Sequence, residues 1–273
     1  MDVTLLGTGS PIPDPNRGGA ATLVRAGSAI LLFDAGRSVT NRMAASGVMA
    51  GMLHAVFLTH LHSDHICELN DVVTTHWVMH RDPTELLLIG PERTQEVVDG
   101  MLAMLGPDIG YRIAHHDDLN HPPQLRIEVA REGVVWERDE VRVLAAPTDH
   151  RPVEPTVGYR IEHAGKSVVI GGDTVPCDGL DRLCAGADMY VQTVLREDII
   201  RALPSARLQE TVDYHSTVEQ AAQTAKRAGV RTLVLTHFVP GLPPGQESEW
   251  HDLAAAHFDG EIVVGDDLLT ISA

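Results

Sequence analysis

The hexapeptide His60-Leu61-His62-Ser63-Asp64-His65 puts three imidazoles and one carboxylate within six residues. Neutral imidazole nitrogen and carboxylate oxygen are the donors that zinc and neighbouring first-row ions select. Buried together without a cation, such groups would carry a large desolvation cost. The run just before them, Ala55-Val56-Phe57-Leu58-Thr59, is apolar and strand-like, so a strand delivers the cluster at its C-terminal end. The same arrangement recurs along the chain. His150 follows Val143-Leu144-Ala145-Ala146, Asp173 stands in Gly171-Gly172-Asp173-Thr174 after Ser167-Val168-Val169-Ile170, and His237 follows Thr232-Leu233-Val234-Leu235-Thr236. α/β proteins place active-site groups just beyond strand ends of this kind. The competing readings are polar loop histidines and, for Asp173, an ordinary turn aspartate. Four strand ends converging on one donor set weigh against them, and the pattern predicts a metal site built for two ions.

The elements that must position these groups can be read from the same chain. Strands are predicted near 3–6, 20–25 and 29–34, the last two joined by a turn at Ala26-Gly27-Ser28. The strand at 55–59 feeds a helix over about 63–79 with Ser63 as N-cap, and a strand-helix pair spans about 85–105. A strand cluster runs from about 125 to 171, with turns at Arg131-Glu132-Gly133 and Ala164-Gly165-Lys166. Strand and helix then alternate, and a helix over 216–228 ends at Gly229. Periodicity alone gives an α/β or α+β fold, with residues 1–273 expected to form one domain.

Composition narrows the class. At 273 residues, 44% hydrophobic and 22% charged, the chain is an ordinary globular sequence able to bury a sizeable core. Aromatics are only 4%, so few surfaces are offered for stacking bases. A formal net charge of −17 opposes long-range capture of a polyanion. Cys67, Cys177 and Cys184 are scattered, with no metal-type pair and no disulfide framework, which points to the reducing cytoplasm. Met1-Asp2-Val3-Thr4 enters a strand at once, so no signal peptide is expected, and no apolar run approaches membrane-spanning length.

The opening Leu5-Leu6-Gly7-Thr8-Gly9-Ser10-Pro11, the His-x-His-x-Asp-His box and the late Tyr214-His215-Ser216-Thr217 resemble the metallo-β-lactamase superfamily. Within it they resemble the ribonuclease Z branch, which also contains phosphodiesterases without an RNA-gripping arm and zinc arylsulfatases. The resemblance covers residue 3 to about 271. It implies a four-layer αββα sandwich and a dinuclear centre. His60, His62 and His150 would hold one ion, Asp64, His65 and His237 the other, and Asp173 would bridge them. Two zinc ions per chain are implied, with manganese or iron suited to the same donors. A carboxylate at 173, in place of the cysteine common in true β-lactamases, is a harder ligand and favours phosphodiesterase, sulfatase or glyoxalase-type chemistry. A homodimer is implied as well.

The resemblance also assigns roles. Asp64 is expected to bind metal and to accept a proton from the attacking water. His215 resembles the branch's late histidine, a leaving-group acid or electrostatic stabiliser; otherwise it is a loop histidine before a helix capped by Ser216 or Thr217. In the branch a glutamate within His-Glu-Ala-Thr orients that histidine. Here the matching stretch reads Arg196-Glu197-Asp198-Ile199, so Glu197 is expected either to orient His215 or to act as a helix N-terminal carboxylate. Asp34 is expected behind the metal ligands as an acceptor, or as a strand-end turn residue. Thr59 and Thr236 either support the ligands or are plain strand residues. His76 and His80 have i,i+4 spacing without an accompanying glutamate and are expected to be solvated or lining, while His115, His116 and His121 read as surface.

Ribonucleases of this branch that mature tRNA carry a basic arm, inserted in bacterial forms between the positions matching His150 and Asp173. Here that stretch is short and mostly consumed by strands at 159–163 and 167–170. The missing arm and the acidic charge favour small or nucleotide-like phosphodiesters, RNA 3′ ends included, over folded tRNA. An arylsulfatase is the nearest enzymatic alternative, because Gly7–Pro15 also resembles zinc arylsulfatases. A non-catalytic RNA- or metal-binding protein on the same fold is an alternative of another class. The loop Val239–Gly245 is expected to border the cleft and influence substrate choice, or else to be a rigid connector.

Overall fold

The computed structural model describes residues 1–273. Its first run of elements is β1 (Asp2–Gly7), β2 (Ala21–Ala26), β3 (Ala29–Phe33), α1 (Val39–Ala45), β4 (Ala55–Phe57), α2 (Ser63–Ile66), α3 (Leu69–Met79), β5 (Glu85–Gly90), α4 (Thr94–His115) and β6 (Gln124–Val129). The second is β7 (Gly133–Arg138), β8 (Val141–Pro147), β9 (Val157–His163), β10 (Lys166–Ile170), α5 (Asp178–Cys184), β11 (Met189–Leu195), α6 (Glu197–Ala202), α7 (Ala206–Gln209), α8 (Val218–Ala228), β12 (Thr232–Val239), α9 (Glu247–Ala255), β13 (Glu261–Val264) and β14 (Thr270–Ser272).

These strands form two seven-stranded sheets, ordered β14-β1-β2-β3-β4-β5-β6 and β13-β12-β11-β10-β9-β8-β7. Each sheet has an antiparallel part and a parallel part. Strands β3 to β6 pair in parallel in the first sheet, and β10 to β13 in the second. The inner parallel strands β4 and β11 are buried on both faces, and β4 reads as an unbroken apolar run. One core fills the space between the sheets. In it Phe33 stacks on Phe57 with centroids 4.8 Å apart, and Tyr159 meets Phe57 edge-on at 5.3 Å. The Tyr159 hydroxyl donates to the Leu58 carbonyl at 2.7 Å, tying the second sheet to the strand that leads into His60. Helices α1, α3 and α4 cover the outside of the first sheet, and α5, α8 and α9 that of the second. The four layers are the expected αββα sandwich. No helix is long and apolar enough to cross a membrane.

Two local departures matter for the site. The predicted helix over 63–79 is broken into α2 and α3. The cause is the turn after β3. Ala35 N–H takes the His65 carbonyl at 2.7 Å, and the Ala35 carbonyl accepts Glu68 N–H at 3.0 Å, so helical bonding cannot continue through 65–68. Gly36 lies so close to the Asp64 carbonyl that no side chain would fit there. The second departure is a helix start. The helix predicted over 216–228 begins at Val218, because Thr217 is its cap, accepting Gln220 N–H at 3.2 Å while Gln220 Oε1 accepts Thr217 N–H at 3.0 Å. It ends as expected at Gly229, with φ 68°.

Candidate metal centre

All seven predicted donors meet where the parallel strands of both sheets end. His60 to His65 follow β4, His150 follows β8, Asp173 follows β10, and His237 sits near the end of β12. Asp34, just past β3, and His237 have φ of 60° and 48°. Left-handed backbone in a non-glycine residue costs about 1–3 kcal/mol and is held only where surrounding structure demands it.

Hydrogen bonds on the outer ring nitrogens determine what faces inward. His65 Nδ1 donates to Asp34 Oδ2 at 2.8 Å. His150 Nδ1 donates to the Tyr214 carbonyl at 2.7 Å, and His215 Nδ1 to the Thr211 carbonyl at 2.9 Å. The Thr59 hydroxyl donates to Asp34 Oδ2 at 2.8 Å, which leaves its oxygen to accept from His60 Nδ1 at 3.0 Å. In the neutral rings the Nε2 atoms of His60, His65, His150 and His215 therefore turn lone pairs toward one point.

Those lone pairs crowd with too few donors between them. His62 Nδ1 lies 3.1 Å from His60 Nε2 and 3.2 Å from His150 Nε2, and one N–H can serve only one of them. Asp173 Oδ2 is the hub, 3.8 Å from His60 Nε2, 3.9 Å from His150 Nε2, 3.5 Å from His65 Nε2 and 3.7 Å from His237 Nε2. Asp64 Oδ2 is 3.1 Å from His237 Nε2 and 3.8 Å from His65 Nε2. Buried His65 Nε2, His237 Nδ1 and Asp173 Oδ1 have no hydrogen-bond partner. Two donor groups result, His60/His62/His150/Asp173 and Asp64/His65/His237, with the donor atoms of each within 4.8 Å of one another. A tetrahedral zinc with nitrogens at 2.0–2.1 Å spaces them about 3.3 Å apart. The 3.1 and 3.2 Å separations around His62 match that spacing, so the residues fit a divalent cation.

The electrostatics agree. Burial lowers the pKa of His60 well below the ordinary histidine value and that of His150 to about 4, against the pull of Asp173. Burial opposes charge on His65 too, but Asp173 and Asp34 outweigh it and hold its pKa well above the ordinary value. Burial raises Asp173, yet His237 and His65 pull it well below the carboxylate range.

His215 belongs to neither donor group. It is 6% exposed, and its Nε2 stands 3.3 Å from Asp173 Oδ2. Glu197 does not reach it. The Glu197 carboxylate is exposed and accepts from Arg201 at 3.0 Å, one turn on along α6, while the nitrogen it was expected to orient is taken by the Thr211 carbonyl. Of the supporting residues, Asp34 and Thr59 stand behind His60 and His65 as described, whereas Thr236 makes no side-chain hydrogen bond. His76, expected to be solvated or lining, is buried at 3% exposure, and burial and His80 lower its pKa to about 4.

The donors form the floor of a cleft of about 460 Å³. Val239, Pro240 and Gly241 line it, as expected of that loop. Ser10, Pro11 and Ile12 form another edge. Asp267 anchors that segment, accepting Thr8 N–H at 2.9 Å and Gly18 N–H at 2.6 Å, while Arg37 donates to the Pro11 carbonyl at 2.6 Å. Sequence reasoning missed the third wall, Ile200, Leu203, Arg207 and Leu208. These residues lie on and between the short helices α6 and α7, which carry neither a motif nor enough length for a periodic signal.

Comparison with known proteins bears on this geometry. The model of the β-lactamase superfamily domain matches residues 30–238. Ribonuclease Z of Mycolicibacterium gilvum (strain PYR-GCK) is 59% identical over 270 residues, covering 98% of this chain and 94% of the relative. Ribonuclease Z of Mycobacterium bovis (strain BCG / Pasteur 1173P2) is 57% identical over 270 residues, covering 98% and 96%. The crystal structure of human tRNase Z, short form, superposes with a TM-score of 0.73 at 26% identity, covering 100% of this chain and 99% of that one.

Proposed function

The chain belongs to the β-lactamase superfamily and, within it, to the ribonuclease Z family of metal-dependent hydrolases, and from that premise we propose that it hydrolyses phosphodiesters at a dinuclear zinc centre. His60, His62 and His150, with Asp173, would hold one ion, and Asp64, His65 and His237 would hold the other. Bound divalent ions supply a water whose pKa falls to about 7 and positive charge against a phosphoryl group. Asp64 lines the cleft and presents its carboxylate to accept the proton of that water. His215 faces the same floor from outside both donor groups, with Nδ1 committed to the Thr211 carbonyl. Only its Nε2 can carry a proton to a leaving oxygen, and Asp173 Oδ2 at 3.3 Å steadies the charged ring.

The observation that carries this reading is the position of Asp173 Oδ2 between two buried donor groups, with His215 beside it and a cleft above. The names of the relatives favour RNA as the substrate, and a cleft of about 460 Å³ suits a nucleotide. Between His150 and Asp173 the chain builds only β9, its tight turn and β10, so no arm projects there to grip a folded RNA. We therefore read the substrate as a nucleotide-like diester or a single-stranded RNA 3′ end. The three unpaired cysteines support a cytoplasmic site of action, and a homodimer belongs to the same reading on resemblance.

The test is a rate comparison of zinc-loaded protein on bis-p-nitrophenyl phosphate, p-nitrophenyl sulfate and a tRNA precursor with a 3′ trailer, with Asp64→Ala as the blank. Diester hydrolysis that Asp64→Ala abolishes is the expected result. Trailer cleavage in addition would extend the substrate to folded tRNA. Hydrolysis of the sulfate alone would replace the phosphodiesterase reading.

A further inference from the structure

Arg207 is the one lysine or arginine lining the cleft, and no carboxylate holds it. Of the other arginines close to it in sequence, Arg196 pairs with Asp198 and Glu249 and Arg201 with Glu197, while Arg37 is bonded to the Ser10 and Pro11 carbonyls at the cleft edge. Arg207 is exposed and shares the cleft lining with the apolar Ile200, Leu203, Leu208, Val239 and Pro240. A free guanidinium among apolar side chains, in a cleft whose floor is built for a phosphoryl group, is complementary to a second anion. The apolar side chains in the same lining offer a planar ring a surface to pack on.

We infer that this wall is a nucleoside subsite, in which the base lies along Leu203 and Leu208 while Arg207 takes the substrate phosphate next to the one attacked. The inference deepens the phosphodiesterase reading and rests on it. It also gives an acidic chain a local means of accepting a nucleic acid end without a basic arm.

Two substrates differing by one phosphate test it: thymidine 5′-(p-nitrophenyl phosphate) and the same compound carrying a 3′-phosphate. In zinc-loaded protein, Arg207→Ala is expected to raise KM for the 3′-phosphorylated diester by about ten-fold, the loss of one charge-assisted bond, with kcat within about two-fold. Both constants for the unphosphorylated diester should stay as they are, and Arg207→Lys should recover part of the lost affinity. Equal effects on the two substrates, or none on the phosphorylated one, would overturn the subsite. Calorimetric binding of thymidine 3′,5′-bisphosphate to the zinc-loaded wild type and Arg207→Ala separates the two readings. If neither diester is cleaved, the phosphodiesterase reading fails. The subsite is still judged by whether bisphosphate affinity drops about ten-fold or is unchanged in the variant.

Discussion

Asp34 Oδ2 lies 2.8 Å from His65 Nδ1 and accepts the Thr59 hydroxyl at the same distance, so one buried oxygen orients histidines on both sides of the centre. Asp34→Asn keeps the shape and tolerates the left-handed backbone, since asparagine is among the residues that adopt it most readily. It removes the charge that fixes the His65 tautomer. Metal affinity should fall about 10–100-fold, mainly for the ion held by His65, as is typical when the acceptor behind a ligating histidine is lost. Zinc titration against a chromophoric chelator reads this out. Two ions retained with wild-type affinity would show that Asp34 only shapes a turn.

His215 lies outside both donor groups, so His215→Gln should leave the metal content unchanged while lowering kcat. General acid catalysis contributes about 10²–10⁴-fold. The loss should be large with an alkoxide leaving group, as in a dinucleotide, and small with p-nitrophenolate, which departs without a proton. Equal losses on both leaving groups would make His215 an electrostatic stabiliser of the attacked phosphate instead of the acid.

Glu197 is exposed on α6 and paired with Arg201. Glu197→Gln should therefore leave diester kcat within about two-fold and cost under about 1 kcal/mol of stability, the worth of an exposed i,i+4 pair. A kcat drop matching that of His215→Gln would restore a coupling that the hydrogen bonds in the structure do not contain.

The metal centre was legible because its donors sit at strand ends and cluster by spacing. Asp173 and His237 could be placed from the apolar strand cores before them, Val168-Val169-Ile170 and Leu233-Val234-Leu235. The histidine orienters were less legible. His150 and His215 are held by main-chain carbonyls of Tyr214 and Thr211, and any residue type supplies a carbonyl. Of the two roles expected for Glu197, the structure has the helix N-terminal carboxylate, at the start of α6, and the backbone serves His215 where a side-chain acceptor was sought. Arg207 was invisible because its significance lies in having no carboxylate near it in space, which adjacency along the chain does not reveal.

His76 gives a pH dependence away from the centre. Folded, its pKa is lowered from 6.5 to about 4, by burial first and then by His80. Between those values the unfolded chain binds the extra proton, so folding stability is complete above pH 6.5 and declines as pH falls toward 4. With allowance for partial solvation of the ring edge, the decline is about 1–2 kcal/mol by pH 5. Denaturant unfolding of wild type and His76→Leu at pH 7 and pH 5 isolates it. The wild type should lose more stability than the variant over that interval, and parallel losses would place the acid sensitivity elsewhere.

Gln192 is a fully buried amide on β11, and its reach explains how Asp173 is aimed. Its Nε2 donates to the Gly172 carbonyl at 3.0 Å, and its Oε1 accepts the Tyr190 hydroxyl at 2.7 Å. Gly172, with φ 67°, is pressed against Thr59, where an added Cβ would lie 2.8 Å from the threonine Cβ. The residue before Asp173 is thus clamped between the strand end that carries His60 and an amide from the neighbouring strand. Gln192→Leu fills the same space but leaves the Tyr190 hydroxyl without its acceptor, costing about 1–3 kcal/mol of stability. Thr193 Oγ1, at 2.9 Å from the Gly172 carbonyl, remains as the sole side-chain donor, so the loop should loosen without unfolding. Because Asp173 Oδ2 faces both donor groups, both ions should weaken together, by about ten-fold each on the scale of lost ligand support. That sets Gln192→Leu apart from Asp34→Asn, whose effect is confined largely to one ion. A chelator titration in which only stability changes, with both zinc affinities intact, would reduce Gln192 to a core amide with no bearing on the metal centre.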